Sequence, residues 1–405
     1  MCKAIPESSA QSRRMTIDIT DRRRRISSLE KYWPGFKLKS LLAKANPQVS
    51  RAPRRRDRPR CQAEYNTSPP STLATRGPFH LEATVRVLQR RPSNPVDVWE
   101  HGRYLRVLAL PEGLSLVEVE NHGTIAEPDV RFLIRGGSAS SATRLAAGGV
   151  LRRILGLDVD PRPMQLLAEA QRAFCVTALA LRGMRPPRFA GLFEAFASVV
   201  PFQQLSLEAG IAIVARMVTR FSQYLEYGGR RFYAFPTAQA IGEARLVALR
   251  ACGLSARKAQ TLRDLARMVQ SGTLTEDQLT CLSTQEAFRT LTALPGIGPW
   301  SAGLMLLRGF GRTDVFPEGD VGAERGLRAL MRRGPKAPLA GVIERFGEYR
   351  GYLYFYALGG WLLSKGLIHP GAGARMTASR RLRRHASDGV QRQRERLGIH
   401  FRRKA

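Results

Sequence analysis

The segment Leu294-Pro295-Gly296-Ile297-Gly298-Pro299-Trp300-Ser301-Ala302 constrains this chain more than any other. Two glycines one residue apart, bracketed by prolines, cannot continue a helix, yet helix-like runs flank them, Gln285 to Leu291 before and Ala302 to Leu307 after. The pattern predicts a helix, a tight hairpin and a second helix. Glycine reaches positive φ at no steric cost and puts no side chain between the hairpin amides and an approaching anion. Pro299 suits the first turn of the second helix, whose unpaired N–H groups and dipole favour negative charge. Such a hairpin can grip a phosphate backbone without reading bases.

Charge supports a polyanionic partner. Lys and Arg number 65 against 33 Asp and Glu, a net charge of +32 in 405 residues. Residues 1–78 hold 18 basic and 6 acidic side chains and residues 371–405 hold 11 and 2, so the two ends carry +21 of the +32. Arg22 to Arg25 and the run from Arg51 to Arg60, broken by Pro and Asp, cannot bury enough apolar surface to fold alone. Residues 1–77 are therefore expected to be a disordered basic arm and 371–405 a basic tail, tethering phosphates without sequence choice. A dispensable extension, with Met15 as an alternative start, is the competing reading of the arm.

A hydrophobic content of 43% provides a substantial core and excludes a wholly disordered chain, and the length suggests two or three units. No apolar run of about 18 residues and no signal pattern is present, so the expectation is a cytoplasmic protein without membrane contact, nucleoid-associated if bacterial, acting as a monomer. Five scattered cysteines lack metal-ligand spacing, so reduced thiols and no cysteine-bound metal are expected.

From Pro78 the texture alternates. Phe79–Leu88, Tyr104–Leu110, Leu114–Glu120 and Val130–Ile134 read as short strands, with turn residues at Pro111-Glu112-Gly113 and Asn121-His122-Gly123. Residues 78–160 are expected to form a small antiparallel β domain. Helical periods follow, at Leu166–Ala170, Phe193–Phe196, Ala209–Phe221, Ala238–Leu249 and Ala256–Val269, so 161–370 is expected to be almost entirely α, in two subdomains with a cleft between them. The class is α+β.

Beyond the second hairpin helix lies Asp314-Val315-Phe316-Pro317-Glu318-Gly319-Asp320-Val321-Gly322, a Pro/Gly bend that ends in a carboxylate before another helix. With this segment the sequence resembles the helix–hairpin–helix DNA glycosylase superfamily, and within it the bacterial DNA-3-methyladenine glycosylase II branch. The likeness includes Leu294 to Ala302, Arg308-Gly309-Phe310-Gly311, Asp314-Val315-Phe316, Asp320, Pro201 to Ser206, Phe235-Pro236-Thr237, Gly253 to Ala259 and Tyr349 to Leu353, and spans residues 78 to 370.

The resemblance implies excision of alkylated bases of the 3-methyladenine and 7-methylguanine type from duplex DNA, by flipping the nucleotide and hydrolysing its N-glycosidic bond, with no organic cofactor. It makes Asp320 the catalytic carboxylate, stabilising positive charge on the sugar; the competing reading is a plain helix N-cap. Trp300 becomes a pocket aromatic, and Leu304 and Leu358 stand where the family carries further pocket aromatics. Tyr352, Tyr354 and Tyr356 are further aromatics available to stack on an electron-poor base, with core packing of this tyrosine run on a helix as the competing reading. Gly296, Ile297 and Gly298 would hold DNA, together with Gln203, Gln204 and Arg350, and Gln204 would wedge into the emptied stack. Hairpin carbonyls in this superfamily can hold a monovalent cation. Bifunctional members place a nucleophilic lysine where this chain has Trp300, so a monofunctional hydrolase is expected. The alternatives are an oxidised-base glycosylase/lyase using another lysine such as Lys258, and a non-catalytic DNA-binding protein.

Overall fold

The computed structural model describes residues 69–370; the basic arm up to residue 68 and the basic tail from 371 lie outside the described residues. An antiparallel sheet comes first, with β1 (Ser71–Thr72), β2 (Val98–Glu100), β3 (Arg103–Leu110), β4 (Gly113–Asn121) and β5 (Val130–Gly137) in the spatial order β1-β5-β4-β3-β2. The turn residues set the register. Leu110 pairs with Gly113, whose φ of +113 suits glycine, and Tyr104 then faces Val119. The sheet starts earlier than residue 78, because Ser71 pairs with Phe132 and adds an edge strand inside the stretch expected to be the arm.

Phe79–Leu88 is not a strand. α1 spans Leu81–Gln89, capped by His80, whose Nδ1 accepts from the Ala83 amide at 3.3 Å. The helix lies between two layers: Leu81, Val85 and Leu88 join the sheet's core, and Ala83 and Val87 join the helical core. Leu81, Ala83, Val85 and Val87 alternate with Glu82, Thr84 and Arg86, so an amphipathic helix of this sequence also reads as a strand.

The helical part runs through α2 (Ser141–Ile154), α3 (Arg162–Ala170), α4 (Cys175–Ala180), α5 (Leu192–Val199), α6 (Leu207–Phe221), α7 (Ala238–Gly242), α8 (Leu246–Ala251), α9 (Ala256–Gln270), α10 (Glu276–Thr280), α11 (Thr284–Thr292), α12 (Pro299–Arg308), α13 (Val321–Leu330), α14 (Ala340–Glu344) and α15 (Tyr352–Ser364). α2 covers one sheet face with Ala147, Leu151 and Ile154. The other face is covered by a hairpin that the helical reading of 161–370 omitted, β6 (Tyr224–Tyr227) and β7 (Arg230–Tyr233), through Phe232 and Ala234. Its two-residue turn is Gly228-Gly229, with φ of +58 and +75. α9 packs on α5, α7 and α8, while α13 packs along α15. α5 and α12 lie against each other, so the hairpin before α12 is set on a rigid, buried base.

Candidate functional site

The hairpin joins α11 to α12 as the spacing predicts. Gly296 has φ +80, and a Cβ there would lie 2.4 Å from Thr261 Oγ1, so both conformation and space demand glycine. Gly298 is different: its backbone is extended (φ −91°, ψ 176°), it caps α12 without any side-chain bond, and a Cβ on it would meet nothing within 4 Å. Its value is openness, which leaves the first N–H groups of α12 accessible to an anion. Ile297 lies between them with its side chain buried in the helical core, so it anchors the hairpin, and only its backbone is available to DNA.

Gln203, expected to contact DNA, is half-buried and turned toward the hairpin. Its Nε2 donates to the Gly296 carbonyl at 2.8 Å and to Ser301 Oγ at 3.0 Å, tying the turn before α6 to the hairpin. Lys258 is a second strut: its ammonium donates to the carbonyls of Pro201 (3.2 Å) and Gln203 (2.5 Å), and burial pushes its pKa down. Gln204 is exposed at φ +55, an uncommon backbone for a residue that is not glycine. Beside it Leu205 is 45% exposed, an apolar side chain that the sequence reading passed over.

Asp320 is the N-cap of α13, with Oδ1 accepting from the Ala323 amide at 2.8 Å, so the capping alternative is realised. The cap uses one oxygen only. Oδ2 accepts from the Trp300 indole Nε1 at 3.1 Å, which joins the two residues expected at the heart of the site. Both are half-buried. The carboxylate is thereby fixed in two directions at the end of a helix and beside the hairpin, as a preorganised charge requires.

The other pocket candidates lie deeper. Leu304 is buried one helical turn beyond Trp300, and Leu358 is half-buried on α15. Tyr352 does not line an open pocket: it is 1% exposed and packed edge-on against Phe355, its hydroxyl has no partner, and burial pushes its pKa up. The tyrosine run on α15 is core, because that helix is apolar on all sides. Arg350 donates from Nε to the Gly347 carbonyl at 2.9 Å and lines a cavity of about 340 Å³ with Asp314, Glu318, Glu344 and, from α12, Pro299 and Gly303. Neither Asp320 nor Trp300 lines that cavity. Among the described residues no group of three or more His, Cys, Asp or Glu is placed to hold a metal ion, and no helix is long and apolar enough to cross a membrane.

A hairpin anchored from below, an uncapped helix start and a carboxylate fixed beside them define a DNA-repair class. Residues 197–346 match the family described as HhH-GPD superfamily base excision DNA repair protein, and residues 71–190 match the AlkA N-terminal domain. Residues 197–346 thus form a domain of the HhH-GPD superfamily. The DNA-3-methyladenine glycosylase of Bacillus subtilis is 26% identical over 281 residues, covering 69% of this chain and 92% of that protein. DNA-3-methyladenine glycosylase 2 of Escherichia coli is 29% identical over 298 residues, 72% of this chain and 98% of that protein. The solved structure of the 3-methyladenine DNA-glycosylase from Archaeoglobus fulgidus matches with a TM-score of 0.61 at 25% identity, covering 73% of this chain and 99% of that one.

Proposed function

We propose that this chain is a monofunctional DNA glycosylase that removes alkylated bases of the 3-methyladenine and 7-methylguanine type from duplex DNA and leaves an abasic site. The observation that carries the reading is the Asp320 carboxylate, held between the Ala323 amide and the Trp300 indole next to a phosphate-gripping hairpin. Everting a nucleotide costs a few kcal/mol, which contacts to the hairpin amides and to the tails offset; Gln204 fills the gap in the stack. The sugar enters beside Asp320 Oδ2 and displaces the indole bond. Breaking the C1′–N bond leaves its electrons on the base and builds positive charge on the sugar, which the fixed carboxylate stabilises more than mobile water would until a water adds to C1′ and gives up a proton. A base carrying a methyl-induced positive charge leaves readily and is attracted to the face of Trp300.

Lysine chemistry has no foothold here. The position after Pro299 is Trp300, and Lys258 is spent on two carbonyls. The enzyme works as a monomer on DNA in the cytoplasm and needs no organic cofactor. Incubation with methylated duplex DNA tests the reading: free 3-methyladenine and alkali-labile abasic sites are expected, with no borohydride-trapped adduct. Efficient covalent capture, or release from 8-oxoguanine DNA alone, would overturn it in favour of a lyase.

A further inference from the structure

A second cavity, of about 50 Å³, lies where the sheet layer meets the helical core, between the end of α1, the Asn94–Asp97 turn, α5, α6 and the last residue of α12. That volume suits three or four waters or one small anion. Most of its lining is apolar, but four charged side chains line it as well, Arg90, Asp97, Glu194 and Arg308, and all four are buried. Arg308 is 1% exposed, and its Nε and Nη2 have no hydrogen-bond partner. Burial, and then the neighbouring Arg90, push its pKa down to about 10, which still leaves it cationic at neutral pH. Arg90 is also buried, donating to the Tyr354 hydroxyl at 3.3 Å and lying over the Phe202 ring at 5.0 Å.

The carboxylates in the lining, Asp97 and Glu194, make no ion pair with these two charges, although Asp97 favours the Arg308 cation from a longer distance. Both bind Arg106, whose Nη1 donates to Asp97 at 2.6 Å and whose Nη2 donates to Glu194, and Asp97 also receives the Tyr104 hydroxyl at 2.8 Å. Among the described residues no carboxylate stands within ion-pair distance of Arg90 or Arg308. Three guanidiniums and two carboxylates leave one positive charge over, in a place where an unpaired charge is strongly unfavourable. The backbone of Arg90 adds a separate sign. Its φ of 62° and ψ of −41°, with the Arg91 amide bonded to the Gln89 carbonyl at 2.7 Å, make a classic-type γ-turn, a rare and strained conformation that persists where the surroundings hold it.

We infer that this cavity is a binding site for one small inorganic anion, of the halide-to-phosphate class, held by Arg308 Nε and Nη2 and by Arg90. The anion completes the charge balance of the layer interface. It also steadies the Phe202 ring, which rests on Arg90 and immediately precedes the Gln203-Gln204 turn. The site is independent of the proposed chemistry at Asp320, and its test does not use activity.

Bromide is the probe. At constant ionic strength, replacing sodium gluconate by sodium bromide should raise the melting temperature along a saturating curve, on the order of 5 °C in total. Inorganic phosphate, titrated in parallel, separates the two members of the class: a lower midpoint for phosphate assigns the site to the oxyanion, and a lower midpoint for bromide assigns it to the halide. Arg308→Met, which keeps the length of the stem, should abolish the saturable part. Bromide-soaked crystals of the unaltered protein decide the matter even if that variant fails to fold: an anomalous peak between Arg90 and Arg308 is expected. Water alone at that place, or a rise that never saturates and persists in Arg308→Met, would overturn the inference.

Discussion

Replacing Gly296 by alanine perturbs the hairpin at the point where backbone and packing both depend on the missing side chain. A left-handed backbone costs an ordinary residue about 1–2 kcal/mol. The new Cβ would also lie 2.4 Å from Thr261 Oγ1 and 2.8 Å from its Cγ2, an overlap worth about 1–3 kcal/mol in a packed interior. The single variant should therefore lose about 2–5 kcal/mol of local stability. Its relaxation pulls the Gly296 carbonyl away from Gln203, so DNA affinity should fall as well. Thr261→Ala removes both close atoms and leaves only the threonine Cβ, 3.2 Å away. Gly296→Ala combined with Thr261→Ala should recover the overlap part but not the backbone part, giving a coupling energy of about 1–2 kcal/mol in a double-mutant cycle. Denaturant unfolding of the four proteins measures it, with DNA binding by anisotropy alongside. Strictly additive single effects, or a Gly296→Ala variant within about 0.5 kcal/mol of the original, would refute the steric argument.

Gln203→Ala should cost about 1–3 kcal/mol, because it strips the Gly296 carbonyl and Ser301 hydroxyl of their donor; weaker DNA binding with unchanged unfolding would instead place Gln203 on the DNA. Arg106→Met leaves Asp97 and Glu194 buried without their shared cation and should destabilise by about 3–5 kcal/mol in urea unfolding. Burial lowers the pKa of His80 below 6.5, and its Nδ1 caps α1 as an acceptor, so the folded state holds the ring neutral. The unfolded chain takes up this proton first, so the His80 contribution to stability is complete above about pH 6.5 and is lost as pH falls through the folded value. Melting temperatures across roughly pH 5 to 8 should show that acid loss, and His80→Asn, which keeps a capping acceptor, should flatten it.

The hairpin was legible because its signal is local: two glycines, two prolines and flanking helices fix one conformation whatever the rest of the chain does. The cap at Asp320 was legible through the same neighbourhood, whereas the catalytic role proposed for it came from the family resemblance, since a cap and a fixed charge call for the same residue type. Elements that depend on distant partners were not. α1 reads as a strand because its apolar residues alternate with polar ones, and its place between the sheet and the helices is visible only in the fold. The β6–β7 hairpin carried a readable Gly228-Gly229 turn, but it lies inside a helical stretch and finds its reason only in the sheet face it covers. Gln203 was assigned to DNA through the resemblance and Tyr352 to a pocket by its aromatic ring, with core packing as the alternative; in the structure Tyr352 is core and the half-buried Gln203 bonds to the hairpin. Arg308 carried a signal only as part of the Arg308-Gly309-Phe310-Gly311 turn and Arg90 carried none, since only the fold shows that the nearby carboxylates Asp97 and Glu194 are taken by Arg106.

Single-turnover base release from methylated duplex DNA by Asp320→Asn, with Asp320→Ala beside it, tests the catalytic assignment most directly. Asparagine caps a helix about as well as aspartate but sets an NH2 group against the Trp300 indole N–H, so Asp320→Asn should lose about 1 kcal/mol and bind DNA normally, while its release rate falls about 100- to 1000-fold. Asp320→Ala should lose the same catalysis and, with the cap gone as well, about 1 kcal/mol more of stability. A fully active Asp320→Asn protein would contradict the account, leaving Asp320 as a cap and nothing more.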